Sequence, residues 1–207
     1  LDIAVAEDFT VDAALAQSIS GSAAEISITA GALGNSESGS LLVEADLQAQ
    51  EKLTLHAGAG GHGDLGFRNE GAPVQLRSDE IVLRAGSGTP DSATEPSDAS
   101  RVLASSTEAS AVQFRRGDGS APPLAFTLRQ DADIDDASLP ATTQFGLGAT
   151  EAIGDLRYTL RSDAGSITLD DASGLNRVQD SDLTLLARDR ISLPDAGPGS
   201  LRVSALE

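Results

Sequence analysis

The sequence predicts an all-β chain wound as a right-handed parallel β-helix, a solenoid of short strands joined by polar corners. Three observations predict it. Leu76-Arg77-Ser78-Asp79 runs into Ile81-Val82-Leu83, and Leu160-Arg161-Ser162-Asp163 runs into Ile167-Thr168-Leu169, with looser versions at Val43 to Leu55 and Leu183 to Leu193. A strand-corner-strand unit that recurs along a chain is the mark of stacked repeats. Hydrophobic residues make up 40% of the chain but aromatic ones only 3%, and layers of Val, Ile, Leu and Ala fill a solenoid without many rings. Finally, helical periodicity is nearly absent, and no Asn-Gly turn joins the paired strands, which argues against βα crossovers and hairpin sandwiches.

The elements follow in order. Ala13, Leu15 and Ile19 suit either a strand or one short helix, and Ile26-Ser27-Ile28-Thr29-Ala30 is a strand closed by Gly31. Leu41, Val43, Ala45, Leu47 and Ala49 alternate at period two, the pattern of a half-buried strand. Leu53 to Ala57 forms its partner, and the glycines from Gly58 to Gly66 make a flexible connection. Val74 to Leu76 pairs with Ile81 to Ala85, and Val112 to Phe114 precedes Leu124 to Leu128. Leu156 to Leu160, Ile167 to Leu169, Leu183 to Leu185, Ile191 to Leu193 and Leu201 to Val203 complete the series. The expectation is a single domain over residues 1–207. Its surface excursions lie near residues 86–110, with a short helix after Ser97-Asp98, and near residues 131–154. Turns of about 20 residues plus insertions give roughly eight rungs and about 40 Å of length.

Charge narrows the range of partners. With 14 basic and 32 acidic residues the net charge is −18, so nucleic acid, which needs a basic stripe, is not an expected partner. No apolar run reaches the roughly 20 residues that span a bilayer, so membrane insertion is not expected. Cysteine is absent, which removes thiolate chemistry and Cys-based metal sites. Methionine is absent too, which points to a processed protein or a segment of a longer one.

Ala45-Asp46-Leu47-Gln48-Ala49, Leu53-Thr54-Leu55-His56-Ala57-Gly58 and Gly165-Ser166-Ile167-Thr168-Leu169 resemble the repeats of filamentous haemagglutinin-type proteins. These are large bacterial exoproteins, often exported by two-partner secretion and commonly free of cysteine. The resemblance spans about half the chain as short degenerate motifs, without the family's secretion-domain motifs. It implies an internal β-helical segment that is secreted or displayed on the bacterial surface.

Few motifs point to chemistry. Arg116-Gly117-Asp118 is an integrin-type adhesion tripeptide in a predicted turn, where a guanidinium and a carboxylate would face a receptor; Gly-Asp-Gly is also ordinary turn chemistry. Gly61-His62-Gly63 is like one piece of a pectin-degrading site, but the Asp135-Asp136 and Asp170-Asp171 pairs follow it in the wrong order. His56 and His62 have no third partner for zinc. No cofactor is expected, although Asp131, Asp133, Asp135 and Asp136 offer oxygen ligands for a weak calcium site. The leading expectation is therefore a non-enzymatic module, an adhesin stalk or adhesive surface that meets a host-cell receptor. The alternatives are a polysaccharide-binding or polysaccharide-degrading β-helix, and a scaffold that assembles with further copies of itself.

Overall fold

The computed structural model describes residues 1–32, 39–69, 72–88, 99–103, 112–120, 122–135, 156–169, 182–192 and the backbone of 201–205. The chain climbs in turns. The first holds β1 (Asp2–Ala4), β2 (Phe9–Val11) and α1 (Ala13–Ile19). The second holds β3 (Glu25–Thr29), β4 (Leu41–Val43) and β5 (Leu47–Gln48), and the third β6 (Lys52–Ala57), β7 (Leu65–Phe67) and β8 (Val74–Arg77). The fourth holds β9 (Glu80–Ala85), β10 (Val102–Leu103) and β11 (Val112–Arg115). Beyond it lie β12 (Ala125–Gln130), β13 (Arg157–Ser162), β14 (Ile167–Thr168), β15 (Asp182–Ala187), β16 (Ile191–Ser192) and β17 (Leu201–Ala205).

Among the described residues every pairing is parallel, and equivalent strands of successive turns stack. The long sheet runs β1-β3-β6-β9-β12-β13-β15-β17, and shorter sheets run β10-β7-β4-β2, β11-β8-β5 and β14-β16. The fold is thus the parallel β-solenoid that the alternating pattern predicts. In β6, β9 and β12 every second residue is buried, because successive side chains of a strand point to opposite faces.

Register turns that alternation into columns. Ile26, Leu53, Ile81, Phe126, Tyr158 and Leu183 form one inward column, and Ile28, Leu55, Leu83, Leu128, Leu160 and Leu185 the next. The rings gather at one level. Phe114 and Phe126 meet edge to face at 4.9 Å, and Phe126 and Tyr158 lie 5.2 Å apart. Burial pushes the Tyr158 phenol well above its ordinary pKa.

Helix α1 stands where later turns place a third strand. Asp12 decides the choice between strand and helix, since its Oδ1 accepts the Leu15 N–H at 2.8 Å and satisfies a first-turn donor. The helix buries Ala16 and Ile19. Its exit is tied to β5, where Gly21 N–H donates to the Gln48 carbonyl at 2.8 Å and Gln48 N–H donates to Ser20 Oγ at 3.2 Å.

Several sequence expectations need correction. Stacked Ile26, Leu53 and Ile81 are 27 and 28 residues apart, rather than about 20, because a full turn has three strands and three corners instead of two. The overlooked strands are β7, inside the supposed flexible glycine connection, and β10, inside the supposed excursion. The single strand read from Leu41 to Ala49 is also two, β4 and β5, with a corner between them. Last, the two copies of Leu-Arg-Ser-Asp are not equivalent: Leu76 lies in β8 of a three-stranded sheet and Leu160 in β13 of the long sheet. The expected helix after Ser97-Asp98 does not form either: residues 99–101 are irregular and lead straight into strand β10, which pairs with β7. Most of the 131–154 excursion, and the Asp136 and Asp170-Asp171 positions, lie outside the described residues.

The glycine segment is shaped by close packing. A Cβ at Gly63 would overlap the backbone carbonyl of Gly39 in the preceding turn, and neither backbone has a side chain to move aside. Gly63→Ala is expected to lower unfolding stability by about 2 kcal/mol or more, seen as a reduced urea midpoint.

Candidate functional site

The outward face of the long sheet carries two contrasting columns. In one, Glu25, Lys52 and Glu80 are in register, and Arg157 is in register with Asp182. Signs alternate there, and Lys52 Nζ reaches Glu80 Oε1 at 2.7 Å. In the other, Thr29, His56, Arg84, Arg129, Arg161 and Leu186 follow one another on adjacent strands. Neighbouring parallel strands lie about 4.8 Å apart, so three guanidinium stems stack with like charge on like charge, an arrangement that costs stability.

Two carboxylates offset part of this cost. Asp163, only 3% exposed, accepts Arg161 Nε at 2.6 Å on Oδ1 and a short bond from Arg129 Nε on Oδ2. Asp131 is 7% exposed and its Oδ1 accepts the Gly88 N–H at 3.2 Å. Burial raises the Asp131 pKa, opposed first by that hydrogen bond. The corner glycines admit these groups. Gly86 has φ +92° and a Cβ there would overlap the Asp131 carboxylate, while one at Gly88 would overlap the Arg129 guanidinium.

Arg84 is treated differently. Its Nε is buried and has no hydrogen-bond partner, and among the described residues it makes no ion pair. Burial, and then the neighbouring Arg129 charge, lowers its pKa. His56 below it donates from Nε2 to the Gly86 carbonyl at 3.0 Å, since a carbonyl can only accept. Burial is the main reason its pKa lies below the ordinary histidine value, with Arg84 and Arg129 adding to the effect.

Arg116, Gly117 and Asp118 do lie in a turn, directly after β11. Arg116 N–H donates to the Ser120 carbonyl at 2.7 Å. Asp118 is exposed, and its Oδ1 accepts both the N–H and the Oγ–H of Ser120, at 2.8 and 2.6 Å. These bonds hold its pKa below the ordinary carboxylate value. Gly117 is clamped to an earlier part of the rod, its carbonyl accepting Gln48 Nε2, two turns back, at 3.1 Å. Arg116 is half-buried with its Nε out of contact with solvent, so the carboxylate is the more exposed end of the tripeptide.

In the described part of the acidic loop, Asp131 and Asp133 bond in different directions. Asp131 bonds back to Gly88, whereas Asp133 Oδ1 accepts the Ser166 N–H of a later turn at 2.7 Å. No group of three metal-ligating side chains occurs among the described residues.

Sequence reasoning missed the arginine column, although its signal is present. Leu55-His56-Ala57, Leu83-Arg84-Ala85, Leu128-Arg129-Gln130 and Leu160-Arg161-Ser162 share one pattern of buried, basic and small or buried residues. The chain matches no family profile, no curated protein and no solved structure.

Proposed function

We propose that the chain is a non-enzymatic segment of a secreted or surface-displayed bacterial protein, serving as an adhesin stalk with an adhesive flank. The observation that carries this reading is the eight-stranded parallel sheet. Eight strands at about 4.8 Å make a rod of roughly 34 Å from a repeating core, and further turns extend such a rod without a new fold. The resemblance to filamentous haemagglutinin-type repeats supports the same reading. So does the Asp118 turn, which offers an exposed carboxylate on the side of the rod.

Cell attachment tests it. Beads coated with the chain are expected to retain host cells several-fold above albumin-coated beads, and Asp118→Asn is expected to reduce that retention without altering the far-UV spectrum. Retention at the albumin level overturns the adhesive reading.

A further inference from the structure

We propose that the outward column of His56, Arg84, Arg129 and Arg161 is a binding site for an oxyanion, seated on Arg84 and Arg129. The inference deepens the adhesive-flank reading by naming a ligand chemistry and a place. One sheet carries two columns of opposite character. The column containing Lys52 and Glu80 alternates in sign, the arrangement that stabilises a stack. Four residues further along the same strands, three arginines stack directly. A local choice that opposes stability marks a place where function sets the residue.

The charges facing the column show what is missing. Arg84 from β9, Arg129 from β12 and Arg161 from β13 face Asp131 and Asp163 from the corners, with His56 and His62 beside them. Asp163 serves Arg129 and Arg161 together, and Asp131 bonds to the Gly88 N–H. Among the described residues one guanidinium exceeds the carboxylates, and it is Arg84, whose buried Nε–H has no acceptor. Arg84 as a whole is only half-buried, so an oxyanion meets the guanidinium at its outer nitrogens and supplies the counter-charge that the corners lack. Arginine's planar fork also fits carboxylate, sulfate and phosphate oxygens in two-point contact. The site stands out on a chain of net charge −18, where a general attraction for anions is absent.

The ligand chemistry is therefore an oxyanion, either a small free ion or the carboxylate or sulfate of a longer acidic polysaccharide lying along the column. Inorganic sulfate is the first probe, compared with sodium chloride at equal ionic strength because sulfate also stabilises proteins by exclusion from their surfaces. Sulfate is expected to raise the melting temperature of the wild-type chain by about 3 °C or more beyond its effect on Arg84→Gln. Without sulfate, Arg84→Gln is expected to melt no lower than wild type, since it removes a stacked charge and an orphan donor together. Equal sulfate shifts in the two proteins, or none, overturn the proposal, as does an Arg84→Gln chain that melts well below wild type without sulfate.

A measurement on the wild type stands apart from that variant. Proton NMR is expected to show the His56 titration moving to higher pH in sulfate, because a bound anion offsets the Arg84 and Arg129 charges; an unmoved titration overturns the site. Polygalacturonate and galacturonate then separate the two sources. Polymer binding at least tenfold tighter per anionic group than the monomer assigns the site to a polysaccharide, and equal binding assigns it to a small ion. Failure of the sulfate test with cell attachment intact removes this site alone; loss of attachment with the sulfate effect intact removes the adhesive reading alone.

Discussion

Phe126→Ala is expected to be the most destabilising single truncation in the long sheet, at about 4 kcal/mol. Phe126 is fully buried, Phe114 meets it at 4.9 Å and Tyr158 at 5.2 Å. Its column neighbours Ile81 and Tyr158 are held by β9 and β13 through an unbroken run of paired residues. The turns above and below therefore cannot collapse into the void, and the cost combines lost apolar transfer with a persistent cavity. Phe126→Leu, which keeps the column filled but loses the ring contacts, is expected to cost about 1.5 kcal/mol. Urea unfolding followed by far-UV dichroism measures both. A midpoint for Phe126→Ala within error of Phe126→Leu would show that the stack closes over the gap.

Asp163→Asn is expected to cost about 2–4 kcal/mol. The carboxylate is almost wholly buried and bonds two arginines that are 24% and 33% exposed. The amide is neutral and leaves Arg84, Arg129 and Arg161 stacked without their main counter-charge. Part of the loss should return in 1 M salt, where screening weakens repulsion among the partly exposed guanidinium groups. It should also return in the double variant with Arg129→Gln, which removes one of the repelling charges. An Asp163→Asn chain as stable as wild type at low salt would mean that solvent alone manages the arginine stack.

The strands legible in the sequence are those that bury one face over several residues. Leu53 to Ala57, Ile81 to Ala85, Leu124 to Leu128 and Leu156 to Leu160 alternate clearly because each supplies inward positions to the long sheet. Two-residue strands such as Leu47–Gln48 and Val102–Leu103 carry no period at all; a turn of the solenoid fixes them from above and below. Repetition of Leu-Arg-Ser-Asp also misled, because a buried Leu, an outward Arg and a buried Ser suit more than one corner. Ser78 and Ser162 are both fully buried, yet Ser162 Oγ donates to the Ala132 carbonyl at 2.8 Å and Ser78 Oγ has no partner.

The arginine column was hidden for a different reason. Arg84, Arg129 and Arg161 are separated by 45 and 32 residues, and His56 precedes Arg84 by 28. Insertions of unequal length leave no constant spacing to find. Only pairing brings the Leu-Arg dipeptides into line, and Leu76-Arg77 carries the same dipeptide on another sheet. By contrast the Arg116 tripeptide was visible at once, because a contiguous motif needs no register.

The strictly stepwise stacking of the long sheet, in which β6 pairs only with β3 and β9 and β12 only with β9 and β13, has a mechanical consequence. Pulled apart at its two ends, such a chain loads its turns in series. The outermost strand has one neighbour to lose while an inner strand has two, so rupture starts at an end and travels inward one coil at a time. The work of extension is then spread over many small yields, and a tether built this way lengthens under load while its middle coils stay folded.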